Sequence, residues 1–222
     1  MQVPSVAELP ASLASVEFAV VDVETSGLSS RSHRILQVAV VRARADGTVI
    51  DRWCSYVRPR WRWFARMGPT HIHGIHRRHV RRAPTADAVL TELGRRIDGA
   101  VLTAHNLRFD WGFLARAAAR ADRPLPTGPR LCTLQLARAP YAAADAAAAD
   151  HAVVSGVGVG LPPTDAPRPS FRLGDLCIAY GIPLINAHDA LADAEATAGL
   201  LPHLLHAAGV TTTDQLAQLV ER

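Results

Sequence analysis

A buried strand that carries two acids near its end is the feature that most constrains this fold. Residues 18–21 are all apolar, and Asp22 and Glu24 follow two positions apart before a Thr-Ser-Gly turn. Side chains two positions apart on a strand point to the same face, so these acids should lie side by side. Two ionised carboxylates held so close repel each other unless a cation neutralises them or they share a proton.

Magnesium is the cation that this pair suggests, because Mg²⁺ prefers carboxylate oxygens and is often held by a few acids together with substrate phosphate. An Asp-x-Glu pair alone is also typical of a solvated strand face. The position favours a site, since functional groups of α/β sheets gather where buried strands end.

The order of elements predicts an α/β fold, a single domain with a mixed central sheet flanked by helices. Strands are predicted over 17–24 and 100–106, and two more within 33–57, joined in a hairpin at Asp46-Gly47. Helices are predicted over residues 84–99, 110–121, 131–139, 171–181 and 189–209, and a last short helix is capped by Thr212 and Gln215. Pro202 should bend or split the helix over 189–209. Residues 141–170 are rich in Ala, Gly and Pro and predict a long loop.

Composition narrows the class of protein. No apolar run reaches the roughly 18 residues of a membrane span, and the first residues lack the pattern of a secretory signal. The three cysteines lie far apart without CxxC spacing, which predicts small buried apolar residues in a reducing compartment rather than disulfides or a thiolate metal site. We therefore expect a cytoplasmic protein that makes no contact with membranes.

Charge is unevenly distributed along the chain. All 24 basic residues are Arg, and residues 31–138 hold 21 of them against seven acids. Aromatic residues interleave with these arginines, namely Trp53, Tyr56, Trp61, Trp63 and Phe64. Guanidinium groups suit phosphates and flat rings suit unstacked bases, which favours a single-stranded nucleic acid. The alternative stays open that Arg, in a chain without Lys, is simply the surface cation.

Two further segments carry polar groups at positions where a site could form. Asp110 starts a predicted helix after an apolar strand and a polar turn, although an acid there is also favoured by the helix dipole. His188 and Asp193 are five positions apart, which on one helix would separate them by about 140°. Both reach one site only if His188 lies on the loop entering the helix and Asp193 in its first turns. Otherwise they are a surface histidine and a solvated acid.

Each of these motifs is weak evidence alone, but their occurrence together in this order is specific. Asp22-x-Glu24-Thr25, then His105-Asn106-x-x-Phe109-Asp110, then His188 and Asp193 resemble the DEDDh family of 3′-to-5′ exonucleases. Within it the chain is most similar to the proofreading epsilon subunits of bacterial replicative DNA polymerase III and their stand-alone relatives. The similarity runs from about residue 17 to residue 205 and includes residues 72–75 and 171–182.

The resemblance implies a ribonuclease H-like domain that uses two divalent ions, Mg²⁺ or Mn²⁺. By matching motifs, the metal ligands would be Asp22, Glu24, Asp110 and Asp193, with His188 as the general base. Thr25 and Leu28 would hold the terminal nucleotide, and Asn106 would lie on the substrate side. It also implies an N-terminal extension over 1–15, an exonuclease domain over 16–207 that contains the 141–170 loop, and a short helix within 208–222.

The activity so implied is metal-dependent hydrolysis that releases nucleotides from single-stranded 3′ ends, with DNA favoured. Short RNA or RNA tails are an alternative substrate, distinguished by the 2′-hydroxyl. A nuclease-like binding module that no longer cleaves is a third hypothesis. It is disfavoured because all four acids and His188 are present.

The chain departs from the family pattern at several points. Ser26 replaces a second threonine, Gln37 stands where many relatives carry an acid, and the 141–170 loop is long. Little sequence follows the exonuclease-like region that could tether a polymerase. We therefore expect a free-standing nuclease; a polymerase partner stays open as an alternative that the sequence does not indicate.

A histidine-rich stretch suggests zinc at first sight, through His71, His73, His76 and His79. Structural zinc usually recruits Cys or well-spaced His pairs, and the flanking arginines would repel the ion. Surface or phosphate-side histidines are the favoured interpretation. For His105 we expect a role in packing or hydrogen bonding rather than in catalysis.

Overall fold

The centre of the molecule is a mixed five-stranded sheet with β1 in its middle. The computed structural model describes residues 9–60, 67–126, 128–142 and 169–221. The strands are β1 (Glu17–Thr25), β2 (Ile35–Arg44), β3 (Val49–Tyr56), β4 (Val101–Ala104) and β5 (Arg130–Cys132), in the spatial order β3-β2-β1-β4-β5. The β1–β2 and β2–β3 pairs are antiparallel, whereas β1–β4 and β4–β5 are parallel. The predicted mixed sheet is thus confirmed.

Helices cover both faces of this sheet. They are α1 (Thr70–His73), α2 (Arg77–Val80), α3 (Ala86–Ile97), α4 (Leu107–Ala121), α5 (residues 133–142), α6 (Leu173–Tyr180), α7 (Ala190–Ala207) and α8 (Thr213–Leu219). One hydrophobic core joins the sheet to α5–α8, and a second joins it to α3 and α4. In the described part of the chain, no helix combines the length and the apolar character that a bilayer crossing requires.

Alternation along β1 decides which way its acids point. Phe18 and Val20 belong to the core beneath α7, while Ala19, Val21 and Val23 belong to the core beneath α3 and α4. Asp22 and Glu24 continue the series of Phe18 and Val20, because side chains on a strand alternate between faces. Both acids therefore lie on the α7 face of the sheet.

The predicted hairpin between β2 and β3 is confirmed. Gly47 adopts φ 84°, and the Arg44 N–H donates to Thr48 O across the turn at 2.9 Å. A β-carbon at Gly47 would stand 3.3 Å from Pro202 Cγ. Glycine therefore lets this turn approach α7, which runs unbroken past Pro202 rather than being split there.

Two predicted boundaries were wrong. The helix expected to start at Asp110 starts at Leu107, because Asn106 turns the chain with φ 64°, a left-handed conformation that Asn tolerates. The helix expected over 131–139 is preceded by β5, which pairs with β4 and buries Leu131. The helix itself, α5, begins at residue 133 and extends to 142, so residues 141 and 142 are not part of a loop.

Other expectations are confirmed or stay predictions. Thr212 and Gln215 form the predicted capping box of α8, and all three cysteines are free thiols. Most of the predicted 141–170 loop, together with Trp61, Trp63 and Phe64, lies outside the described residues. The domain boundaries at residues 15 and 207 and the cytoplasmic location stay predictions.

Candidate active site

The two acids of β1 carry strongly perturbed ionisation. Burial is the main cause that raises the pKa of Asp22, and the charges of Asp110, Asp193 and Glu24 add to it. Burial likewise raises the pKa of Glu24 to about 8, with further contributions from Asp193 and Asp189. Carboxyl groups in such surroundings stay protonated unless a cation binds beside them.

Asp110 reaches the same place from the opposite face of the sheet. β4 pairs with β1 only from Phe18 to Val20, so the Val23 N–H lies beyond that ladder. Asp110, in the first turn of α4, accepts this N–H through Oδ1 at 3.1 Å. Its side chain is almost wholly buried, and burial raises the pKa of Asp110 to about 8 despite backbone hydrogen bonds that lower it.

The entry to α7 brings His188 and Asp193 together. Asp189 is the N-cap and accepts the N–H groups of Leu191 and Ala192 at 3.1 and 3.2 Å. His188 precedes it with φ 68°, and its N–H donates to Asp193 Oδ2 at 3.2 Å. The prediction that His188 lies on the entering loop and Asp193 in the first turn is confirmed.

Three of these side chains form a compact ligand set. One ligand atom each from Glu24, His188 and Asp193 lies within 4.8 Å of the other two. Asp193 Oδ1 is buried and has no hydrogen-bond partner in the described part of the chain. Burial also raises the pKa of Asp193. A buried, unpartnered carboxylate oxygen among repelling acids fits a hard divalent cation, so the residues present suit the metals that the sequence implies.

The three residues expected to contact substrate differ in their settings. Thr25 is buried, and its hydroxyl donates to Gly27 O at 2.8 Å. Leu28 is 87% exposed, on the loop just beyond β1. Asn106 is exposed at the turn between β4 and α4 and makes no side-chain capping bond. No contact among the described residues assigns them a role, so their substrate contacts stay predictions.

A connection between β2 and α7 was missed by the sequence reasoning. Gln37 is 4% exposed, its Nε2 donates to Asp189 Oδ2 at 3.0 Å, and its Oε1 accepts the Ala190 N–H at 3.4 Å. The same nitrogen lies 3.2 Å from Sγ of Cys54, which is half-buried rather than buried as expected. Asp189 was detectable as an N-cap residue, but its partner in β2 had no local signal.

The histidine-rich stretch forms no metal cluster among the described residues. His73, expected at the surface, is instead buried, with Nε2 3.0 Å from Met67 O and Nδ1 accepting the Ile75 N–H. Both ring nitrogens are therefore committed to the fold. His105 makes the expected hydrogen bonds, to Thr133 Oγ1 and Phe171 O, each at 3.0 Å.

A cavity of about 1080 Å³ lies elsewhere, between α3, α4 and β2. Its lining includes Ser26 and Arg120 but none of the four acids and not His188. The acid cluster at the end of β1 therefore does not line this cavity.

Comparison with known proteins agrees with this arrangement. The family model described as Exonuclease matches residues 19–201. The DNA polymerase III PolC-type of Halalkalibacterium halodurans is 32% identical over 185 residues, which cover 83% of this chain and 11% of that protein. The chain thus spans about a tenth of the length of this relative.

Solved structures share the fold. E. coli exonuclease I in complex with a dT13 oligonucleotide superposes with a TM-score of 0.64 at 24% identity, over 91% of this chain and 43% of that one. Exonuclease X in complex with 5′ overhanging duplex DNA gives 0.60 at 22%, over 91% and 98%. These similarities show the ribonuclease H-like fold.

Proposed function

Since the chain belongs to the Exonuclease family, we propose that this nuclease releases nucleotides one at a time from single-stranded 3′ ends, with two Mg²⁺ or Mn²⁺ ions and DNA as its substrate. The observation that carries the proposal is the meeting of Glu24, His188 and Asp193 around the unpartnered Asp193 Oδ1. DNA is favoured because the relatives named above are a DNA polymerase and exonucleases bound to DNA.

In the proposed site, Asp22, Glu24, Asp110 and Asp193 would hold the ions. Two bound divalent ions stabilise the charge on the attacking and leaving oxygens of a displacement at phosphorus. The chain supplies a rigid set of oxygens for this task, because Asp110 is fixed by the Val23 N–H and Asp193 by the His188 N–H. Ligands fixed before substrate arrives need little reorganisation during the reaction.

His188 would accept the proton of the attacking water through its imidazole. Its loop is held on one side by the hydrogen bond to Asp193 and on the other by the Asp189 cap. Imidazole is the side chain that most readily exchanges a proton near neutral pH. Thr25, Leu28 and Asn106 would bind the terminal nucleotide, and the exposed Leu28 side chain suits a wedge against a base.

The direct test is digestion of matched DNA and RNA strands with free or blocked 3′ ends, in Mg²⁺, Mn²⁺ or EDTA. We expect metal-dependent release of mononucleotides from the free DNA end and none from the blocked end. Asp22→Ala is the control and should be inactive. Equal cutting by Asp22→Ala, or cutting in EDTA, would overturn the mechanism, and preferred cutting of RNA would overturn the substrate assignment. Absence of cutting by the wild type would indicate a binding module.

His188→Ala separates the proposed base from a binding residue. We expect turnover to fall by about 10²-fold or more while the KM for a DNA strand changes little, because a general base acts on the transition state. Single-turnover and steady-state kinetics on the same strand measure both quantities. Equal losses in kcat and in substrate affinity would indicate a positioning role instead.

A further inference from the structure

A patch of four exposed arginines lies on α2 and just after it: Arg77, Arg78, Arg81 and Arg82. We call these residues the arginine patch. Between Asp51 and Asp87 the chain holds nine Arg and no acid, and Asp87 itself pairs with Arg123. A concentrated positive surface of this kind attracts polyanions.

Several arginines elsewhere in the described part of the chain have carboxylate partners. Arg42 pairs with Glu17, Arg52 with Glu195, and Arg123 with Asp87. None of the ion pairs formed within the described ranges includes a member of the arginine patch. The patch therefore differs from Arg42, Arg52 and Arg123, whose charge is balanced by an acid.

Two rings are stacked beside this patch. Tyr56, at the end of β3, and His79, on α2, have ring centroids 5.4 Å apart at an angle of 23°. Both side chains are half-exposed. His79 lies between the patch residues Arg78 and Arg81 in the chain. Stacked flat rings next to guanidinium groups are the combination that single strands bind, because every unstacked base has a π-face.

Strand register connects these rings with the acid cluster. Glu24 is the cross-strand neighbour of Gln37, and Gln37 is the neighbour of Tyr56. Neighbours in register point to the same face, at a spacing of about 4.8 Å per strand. The charge of Asp189, next to His188, contributes to the raised pKa of Tyr56 after burial. The ring pair thus lies about two strand spacings from Glu24, between the cluster and the patch.

We propose that the arginine patch and the Tyr56–His79 pair bind the part of a single nucleic-acid strand that lies 5′ to the nucleotide being removed. The arginines contact backbone phosphates, and an unpaired base stacks on the ring pair. The direction follows from the proposed function, on which this inference rests. Thr25, Leu28 and Asn106 lie toward β1 and β4 and would hold the 3′-terminal nucleotide, which leaves the β3 side for the preceding ones.

Binding to a labelled dodecathymidylate in EDTA tests the patch without cleavage. Removing two phosphate contacts with Arg77→Ala/Arg78→Ala should weaken binding about fivefold or more at low salt. It should also reduce the slope of log K against log[NaCl] by about 1.4. The matched control is Arg44→Ala/Arg116→Ala, which removes equal charge from exposed arginines at the hairpin and on α4. An unchanged slope, or an equal loss in the control, would overturn the proposal.

The ring pair is tested by His79→Ala and His79→Phe. His79→Phe keeps a flat ring but can accept neither the His76 N–H, which His79 Nδ1 accepts at 3.2 Å, nor the Arg78 Nε–H, whose nitrogen lies 3.1 Å from His79 Nε2. We expect His79→Ala to lose about fivefold or more in affinity and His79→Phe to lose much less, because stacking needs only the ring. Equal losses in both variants would show that His79 acts through its hydrogen bonds to His76 and Arg78 and not through stacking.

The outcomes separate the two proposals. If the wild type binds the strand but cuts neither DNA nor RNA in Mg²⁺, the proposed function is wrong. The binding measurements in EDTA still test the arginine patch, because they do not depend on cleavage. If it cuts and Arg77→Ala/Arg78→Ala behaves like the wild type at every salt concentration and strand length, only the surface is wrong. If the arginine patch binds the strand, the affinity lost by Arg77→Ala/Arg78→Ala should be larger for a dodecanucleotide than for a dinucleotide, which is too short to reach the patch.

Discussion

The Asp110 side chain serves the fold and the candidate site at the same time. Its Oδ1 accepts the Val23 N–H that β4 is too short to reach, and its charge lies in a cluster where burial raises the pKa of each acid. The hydrogen bond favours the folded state, whereas ionisation of the buried group opposes it. Residues at functional sites often carry such a conflict between stability and activity.

Asp110→Asn should separate these contributions. The amide oxygen can still accept the Val23 N–H, but the charge is gone. At about pH 9 without divalent ions, we expect the free energy of unfolding to rise by about 1–2 kcal/mol, because Asp110 is ionised there at a cost. Cleavage should fall by about 10²-fold or more. Denaturant titrations and strand digestion measure the two effects.

Asp214→Asn is the control for this substitution. Asp214 is an exposed acid in the first turn of α8 and not a member of the cluster, so its change should shift stability only slightly. A loss of stability in Asp110→Asn would contradict the conflict described above.

At the scale of elements, the joint between β2 and the start of α7 sets the geometry of the site. Gln37 bonds both Asp189 and Ala190, so the turn that carries His188 is fixed to the strand next to Glu24. The partners are 152 positions apart in the chain. No local pattern can predict such a pair, whereas the strands of the hairpin and the helix caps follow from neighbouring residues.

Gln37→Met should loosen this joint while keeping the side-chain volume similar. We expect kcat to fall about tenfold with little change in KM, because the substrate surface is intact but His188 is less well placed. The free energy of unfolding should fall by about 1–2 kcal/mol for the lost hydrogen bonds. Steady-state kinetics and denaturant titrations are the measurements.

Gln215→Met is the control, because it makes the same substitution at a residue outside the candidate site. It removes an amide from the capping box of α8 and should reduce stability by about 1 kcal/mol without lowering kcat. A similar fall in kcat for both variants would show that Gln37 acts through general stability alone.

At the scale of the whole molecule, the sequence motifs predicted the sheet and the convergence of distant acids. They did not predict every element that connects these acids. The apolar run of β1 and the Asp46-Gly47 turn were sufficient for three strands. β5 was missed because its three residues are too short to show a period and depend on pairing with β4. The left-handed turn at Asn106 moved the start of α4, since a polar turn does not reveal its φ angle.

Clustered acids also make the stability of the metal-free molecule depend on pH. Folding raises the pKa of Glu24 from its usual 4.5 to about 8, so the folded state binds more protons than the unfolded state between those values. The stability contributed by protonation is complete below about pH 4.5 and is lost as pH rises through about 8. The same sign holds for Asp110.

We therefore expect the free energy of unfolding in EDTA to decline from about pH 5 to about pH 8, and saturating Mg²⁺ to remove most of this decline. Thermal or denaturant unfolding across this range, with and without Mg²⁺, measures it. Asp22→Asn/Glu24→Gln should show a flatter profile in EDTA. A wild-type profile that rises with pH in EDTA would contradict the raised pKa values.

The acids of the cluster come from three separate stretches, β1, α4 and α7, and the imidazole comes with the last of them. A nascent chain on the ribosome that has not yet delivered α7 has neither His188 nor Asp193 beside Glu24. If those groups do the cutting, the polypeptide acquires the means to degrade nucleic acid only when its tertiary structure closes.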